Sequence, residues 1–225
     1  MLFDFGFVIP LQAEAQPLLQ KFTNKEIKKN ASYVAYTGLF QNKKISLIIS
    51  GCGKIKSASA TQYLIDTYPA KTYIHYGTAG AISDKPKIGD IVIVTQVIEH
   101  DVVELFPKKV LPPVHTISTE RLKRQLKNFH NSSLIWGSIL SGDEDVITTK
   151  RKKELYKQYK GLSVDWESAG FVLTCQLNQV QGYVFRGISD YAYEHTVLEY
   201  EMNQKIAINN IISLINHLLD NGLVI

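Results

Sequence analysis

Residues Ile91–Ile98 (IVIVTQVI) form an almost continuous apolar run rich in β-branched side chains. The run is far shorter than the roughly 20 residues of a membrane helix, and it suits a strand buried on both faces. Such a strand needs packed layers on either side, which points to an α/β fold with helices over a largely parallel sheet.

The rest of the chain repeats that theme. Apolar strand-like runs are expected at Phe5–Ile9, Ser32–Thr37, Lys44–Ser50, Thr72–Tyr76, Ser133–Leu140, Leu162–Trp166 and Tyr183–Ile188. The second and third flank the polar Gln41–Lys43 and predict a hairpin or adjacent strands. Helical spacing is expected over Lys54–Tyr68, Thr149–Tyr159, Glu167–Leu177 and Tyr200–Leu219, the last with Ile206, Ile208, Ile211, Ile212, Leu214, Ile215 and Leu218 on its apolar side. Pro107, Pro112 and Pro113 mark a loop. No repeat, low-complexity tract or linker divides the chain. The expected architecture is one domain over residues 1–225, a three-layer α/β/α fold around a central mixed, mostly parallel sheet.

Composition excludes several function classes. A chain of 225 residues that is 45% hydrophobic and 20% charged builds a sizeable core. Its net charge of +4 is too small to imply nucleic-acid or membrane binding without clustering. The densest basic stretch, Lys150–Lys160, has helical spacing and reads as a solvated helix face. Two distant cysteines, Cys52 and Cys175, argue against a disulfide scaffold and a cysteine zinc site. The N-terminus lacks a basic signal-peptide region, so a cytoplasmic protein is expected.

In open α/β sheets, ligands collect at the carboxyl ends of strands. The residues expected there are Glu14, Ser50-Gly51-Cys52-Gly53, Gly77-Thr78-Ala79-Gly80, Ser141-Gly142-Asp143, Asp165-Trp166-Glu167 and Ser189-Asp190. Lys56 stands where a dinucleotide fingerprint has its third glycine, and no phosphate-loop spacing is present. Gly51-x-Gly53 reads equally well as a plain strand-to-helix turn. Gly77–Gly80 reads as a small-residue turn whose backbone N–H groups can approach a ligand.

The segments SGCGK, YGTAGAISDKPKIGDIVI, VDWESAG and FRGISD, in this order, resemble the purine nucleoside phosphorylase/nucleosidase superfamily. The nearest likeness is to the 5′-methylthioadenosine/S-adenosylhomocysteine nucleosidase branch, over roughly residues 5 to 215. The resemblance implies cleavage of the N-glycosidic bond of a purine nucleoside, with adenine as the expected base. It also implies no cofactor, no metal and a homodimer.

The same resemblance assigns roles. Asp190, with Ser189 beside it, matches the acid that protonates the leaving purine at N7. An aspartate with an ordinary pKa near 3.9 needs an apolar setting to hold that proton, and Tyr183-Val184-Phe185 is the expected source. Glu167 matches the carboxylate that grips the ribose hydroxyls, and Glu14 the one that positions water. Thr78, Ala79 and Gly80 are expected along the substrate, Cys52 near the 5′-substituent, and Tyr200 near a lid.

Two departures bear on the substrate. Trp166 replaces the methionine common beside the ribose, and its indole N–H needs a partner. Glu144–Ile147 replaces an aromatic that often stacks on adenine, which puts Val146 among the substrate-binding residues. Asp145 is either an acceptor for a base amino group or an exposed loop acid. His100-Asp101 resembles a segment that reaches the neighbouring site in dimers, and metal-ligand spacing is lacking around the six histidines.

Phosphorolysis needs phosphate-binding arginines, expected at the first turn and two residues before the Gly-Thr step. Ile9–Gln12 has none, and the second place holds His75. Hydrolysis is the leading reading. A phosphorylase using His75 or Lys54, and a non-catalytic nucleoside-binding protein on the same fold, stay open beside it.

Overall fold

The computed structural model describes residues 2–29, 32–103 and 112–220. Its strands are β1 (Phe3–Ile9), β2 (Thr23–Lys29), β3 (Val34–Phe40), β4 (Lys43–Ile49), β5 (Ala70–Ala81), β6 (Ile91–Glu99), β7 (Val114–Thr116), β8 (Leu134–Ser141), β9 (Ser163–Asp165) and β10 (Gly182–Asp190). The helices are α1 (Gln12–Leu19), α2 (Lys54–Thr67), α3 (Glu120–Gln125), α4 (Thr149–Tyr159), α5 (Ser168–Leu177) and α6 (Thr196–Asp220). Pro107, expected in a loop, lies outside the described residues.

All ten strands join one mixed sheet. Parallel pairing links β1 to β4 and β5, β5 to β10, and β8 to β6 and β9. Antiparallel pairing builds the β2–β3–β4 arm and joins β10 to β6 and β9 to β5. The β5–β10 ladder closes β5, β9, β8, β6 and β10 into a ring. In the arm, Gln41 and Asn42 both adopt left-handed backbone between β3 and β4, the conformation of a two-residue hairpin turn.

Successive residues of a strand point to opposite faces, and β10 shows which helices cover which face. A side chain at Gly187 would meet Ala207 of α6, while Arg186 reaches Ser168 of α5. Helices α5 and α2 pack together on the Arg186 face, and α6 packs with α1 on the other. Phe5, Phe7, Leu47, Tyr73, Tyr76 and Phe185 are among the buried side chains between them.

Several expectations need correction. Gly77-Thr78-Ala79-Gly80 is not a turn: β5 continues to Ala81 because Gly80 pairs with both Asp190 and Val164. The closing helix begins at Thr196, and Ile206 faces solvent at 51% exposure rather than the core. Helix α1 and strand β2 carry weak sequence signals: Pro17 sits inside α1, and every residue of β2 is exposed. The Lys150–Lys160 stretch is largely a solvated helix, with only Leu155 buried in α4.

Candidate active site

The carboxyl ends of β1, β5, β9 and β10 surround a cavity of about 290 Å³. All eleven residues singled out from the sequence line it: Glu14, Cys52, Thr78, Ala79, Gly80, Val146, Trp166, Glu167, Ser189, Asp190 and Tyr200. They are drawn from nearly the whole chain, and the sheet register brings them together.

Glu14 sits in the first turn of α1 and is only 3% exposed. The Thr78 amide and hydroxyl both donate to its Oε1, each at 2.8 Å. Its Oε2 is buried and has no hydrogen-bond partner among the described residues. Burial raises its pKa, opposed by the Thr78 amide and the Arg186 charge. Gly77 leaves the space for this arrangement, since a side chain there would strike the Arg186 guanidinium and approach Glu14 Oε2 to 3.0 Å.

Glu167 stands at the N-cap position of α5, with its carboxylate turned away from the helix amides. Its Oε1 accepts the Gly53 N–H at 3.2 Å, and its Oε2 lies 3.4 Å from Arg186 Nη2. Gly53 adopts a φ of 104° in the turn before α2, a conformation that favours glycine. The 51–53 turn is thus both a strand-to-helix connection and a support for Glu167. Burial pushes the Glu167 carboxyl up to about 7.

Asp190 ends β10, where a bulge places Ile188 opposite Ala79 and Asp190 opposite Gly80. Bulges re-aim side chains and recur beside active sites. The Ser189 hydroxyl donates to Asp190 Oδ2 at 2.7 Å, and the Ala192 N–H donates to Oδ1 at 3.0 Å. Burial raises its pKa against these hydrogen bonds. Tyr183, Val184 and Phe185 do not enclose it. They pair with Ile74–Tyr76 at the other end of the ladder.

Arg186 is fully buried beneath the site. Its guanidinium contacts Asp165, His75, Glu167 and Ser168. His75 Nδ1 lies 2.7 Å from the Val8 carbonyl, which only accepts, so Nδ1 carries the proton and Nε2 accepts from Arg186. Burial and the Arg186 charge push the His75 pKa well down, and Phe171 stacks on the ring at 5.1 Å. His75, Asp165 and Glu167 are close enough to hold a metal ion, but the Arg186 guanidinium supplies the cation that all three contact.

These contacts remove two proposed phosphate ligands. His75 is committed to Val8 and Arg186. Lys54 binds Glu99 at 3.0 Å and Asp101 at 2.6 Å. Neither lines the cavity.

The remaining walls are formed by fixed side chains. Trp166 Nε1 donates to the Glu144 carbonyl at 2.9 Å, which satisfies its indole. Arg151 grips the Glu144 carboxylate with two hydrogen bonds of 2.6 and 2.8 Å. Asp145 is both exposed and at the cavity wall. Burial holds the Tyr200 phenol up at about 12 and raises the Cys52 thiol, so both stay protonated at neutral pH.

Arg186, Pro10, Leu11, Ala192 and Thr196, not among the site residues expected from the sequence, also line the cavity. A lone arginine within the apolar run YVFRGIS was the available signal, because a buried cation requires buried acids.

A ring-closed mixed sheet flanked by helices, with acids gathered at one cavity beside its strand ends, defines an α/β enzyme architecture. The chain belongs to the phosphorylase superfamily, whose family model matches residues 4–220. It is 28% identical over 206 residues to a 5′-methylthioadenosine/S-adenosylhomocysteine nucleosidase of an Exiguobacterium species, covering 87% of this chain and 88% of the relative. It is also 28% identical over 206 residues to an aminodeoxyfutalosine nucleosidase of Helicobacter pylori, covering 87% and 89%. The crystal structure of the Neisseria meningitidis 5′-methylthioadenosine/S-adenosylhomocysteine nucleosidase in complex with methylthio-immucillin-A superposes with a TM-score of 0.87 at 25% identity, over 96% of this chain and 98% of that one. Among the described residues, no helix is long and apolar enough to cross a membrane.

Proposed function

We propose that this protein is a nucleosidase that hydrolyses the N-glycosidic bond of an adenine nucleoside bearing a 5′-substituent, 5′-methylthioadenosine or S-adenosylhomocysteine being the first candidates. The observation that carries this reading is Glu14 in the cavity wall, its Oε1 fixed by Thr78 and its Oε2 without a hydrogen-bond partner among the described residues. A carboxylate oxygen there suits a water nucleophile. It opposes a phosphate dianion, as does the rest of the lining: Glu14, Glu144, Asp145, Asp165, Glu167 and Asp190 face a single guanidinium, Arg186.

In this mechanism, protonated Asp190 donates to N7 of the purine as the bond from the base to C1′ breaks, and the bonding electron pair leaves with the base. The sugar becomes oxocarbenium-like. Glu167 holds its hydroxyls and, with Glu14, stabilises the growing positive charge. Water held by the Glu14 carboxylate adds to C1′ and yields its proton to Glu14. Burial raises the pKa of both acids, which suits Asp190 to carry a proton and makes Glu14 a stronger base. Trp166, anchored through Glu144, forms a rigid wall beside the ribose.

The relatives cleave differently named substrates, so the panel that tests this reading contains 5′-methylthioadenosine, S-adenosylhomocysteine, aminodeoxyfutalosine, adenosine and inosine. Release of free base and free sugar in phosphate-free buffer is the expected result. A requirement for phosphate, with a sugar 1-phosphate as product, would establish phosphorolysis instead. Binding without turnover across the panel would establish a non-catalytic nucleoside-binding protein.

A homodimer in the cytoplasm is part of the same proposal. Ile55 on α2 and Leu177 on α5 are 82% and 75% exposed on two helices that pack together, which supports an apolar interface. Light scattering should give twice the chain mass, and Ile55→Lys should reduce it to one. Cys52 and Cys175 are free thiols, as a reducing compartment would keep them.

A further inference from the structure

A second cavity, of about 390 Å³, lies behind the segment that follows Asp190. Consecutive residues of that segment serve the two cavities alternately. Asp190 and Ala192 line the first, while Tyr191 and Tyr193 line the second. The opposite wall comes from the start of α4, with Thr149, Lys152, Lys153 and Tyr156, and from Ser83 and Asp84 after β5.

Lys152 is the central feature. Its ammonium group has three donors and no acceptor. Among the described residues one donor is used, to the Tyr191 carbonyl at 2.8 Å, and the ammonium lies 5.7 Å from the centre of the Tyr191 ring. Among the described residues, no carboxylate comes within ion-pairing distance of it. Asp84, Glu199 and Asp190 act on it only through space, and both Glu199 oxygens are already taken by the Tyr191 N–H and the Tyr193 hydroxyl. Half-burial makes the unpaired ammonium costly and lowers its pKa. The α4 N-terminus is not a second cation here, because the Thr149 N–H and hydroxyl both donate to Glu194, at 3.0 and 2.6 Å.

We infer that this cavity is a second binding site, for a small aromatic anion. Its anionic group would accept from the two open donors of Lys152 and from exposed Lys153, and its ring would lie among Tyr156, Tyr191 and Tyr193. Two lysines outweigh Asp84, the one carboxylate among the described residues of the lining. The volume falls within the range of small-molecule pockets, about 300–1,000 Å³. A carboxylate and a phosphate monoester share the chemistry required, and neither source depends on the nucleosidase reading.

Calorimetric titration with phenyl phosphate, benzoate and inorganic phosphate tests the site on the intact protein. One saturable site per chain is expected for phenyl phosphate or benzoate, the tighter one naming the anionic group. Inorganic phosphate should bind at least tenfold more weakly than the tighter aromatic ligand. Lys152→Met should weaken binding at least tenfold and Lys153→Ala severalfold, the latter on an exposed residue that folding does not need. Glu14→Gln, in the first cavity, should leave affinity within twofold. Absence of saturable binding, equal affinity for inorganic phosphate, insensitivity to both lysine variants, or a marked change in Glu14→Gln would each overturn the inference.

Discussion

Thr78 holds Glu14 by two hydrogen bonds to a single oxygen, the amide and the hydroxyl both reaching Oε1 at 2.8 Å. The other oxygen is thereby fixed in place with its lone pairs unused. One strand of the sheet orients the group proposed to hold water.

Glu14→Gln should lower kcat by about 10²–10⁴-fold, the range of general acid–base catalysis. Thr78→Val keeps the amide and removes the hydroxyl, so it should cost less and act on kcat more than on KM. Steady-state kinetics with 5′-methylthioadenosine in phosphate-free buffer checks both. A Glu14→Gln enzyme with full activity would remove Glu14 from the mechanism.

Asp190 must be protonated to act as an acid, and burial raises its pKa above the ordinary 3.8. Activity should therefore fall as pH rises through that raised value, and Asp190→Asn should abolish most of the turnover at every pH. The measurement is the pH profile of kcat. If Asp190→Asn only shifts KM, the residue binds the substrate without acting as its acid.

Glu167 links the site to stability. Its carboxyl is raised from 4.5 to about 7, so between those values the folded protein holds a proton that the unfolded chain releases. The folded state binds more protons, and this group's contribution to stability, full below pH 4.5, is lost as pH climbs through 7. Thermal melts of Glu167→Gln across this window should show a flatter dependence of Tm on pH than the parent protein.

Arg186 contacts two buried acids, Asp165 and Glu167, and neutral His75. Arg186→Leu leaves those acids without their cation, and breaking a buried pair from one side costs about 3–5 kcal/mol. Arg186→Lys keeps the charge but not the planar fork, so its loss should be smaller yet still measurable by chemical denaturation.

The sequence made the layered architecture legible because strands such as Ile91–Ile98 carry their burial in their composition. It also led to the cavity residues, because acids and small residues stood at strand ends. What escaped depends on pairing between distant segments. Gly77–Gly80 looks like a turn in isolation and becomes strand only because Asp190 and Val164 lie on either side of Gly80. Exposed β2 has no apolar alternation to reveal it, and it exists by pairing with β3. The source of the Asp190 setting was likewise invisible, since the apolar Tyr183–Phe185 sit far along the ladder while Gly80 from the neighbouring strand sits beside it.

The ring closure between β5 and β10 has a kinetic meaning. Thr78 lies opposite Gly187, and Gly80 opposite Asp190, on rungs of one ladder with only the Ala79–Ile188 rung between them. Thr78, which orients the water-holding Glu14, and Asp190, proposed to deliver the proton, are therefore carried by strands that cannot separate without opening the ring. Local fluctuations begin in most proteins at frayed ends and loops, and ring closure is expected to hold this spacing against them. Amide exchange at these rungs should proceed only through global unfolding, so that on heating, activity and fold are lost together.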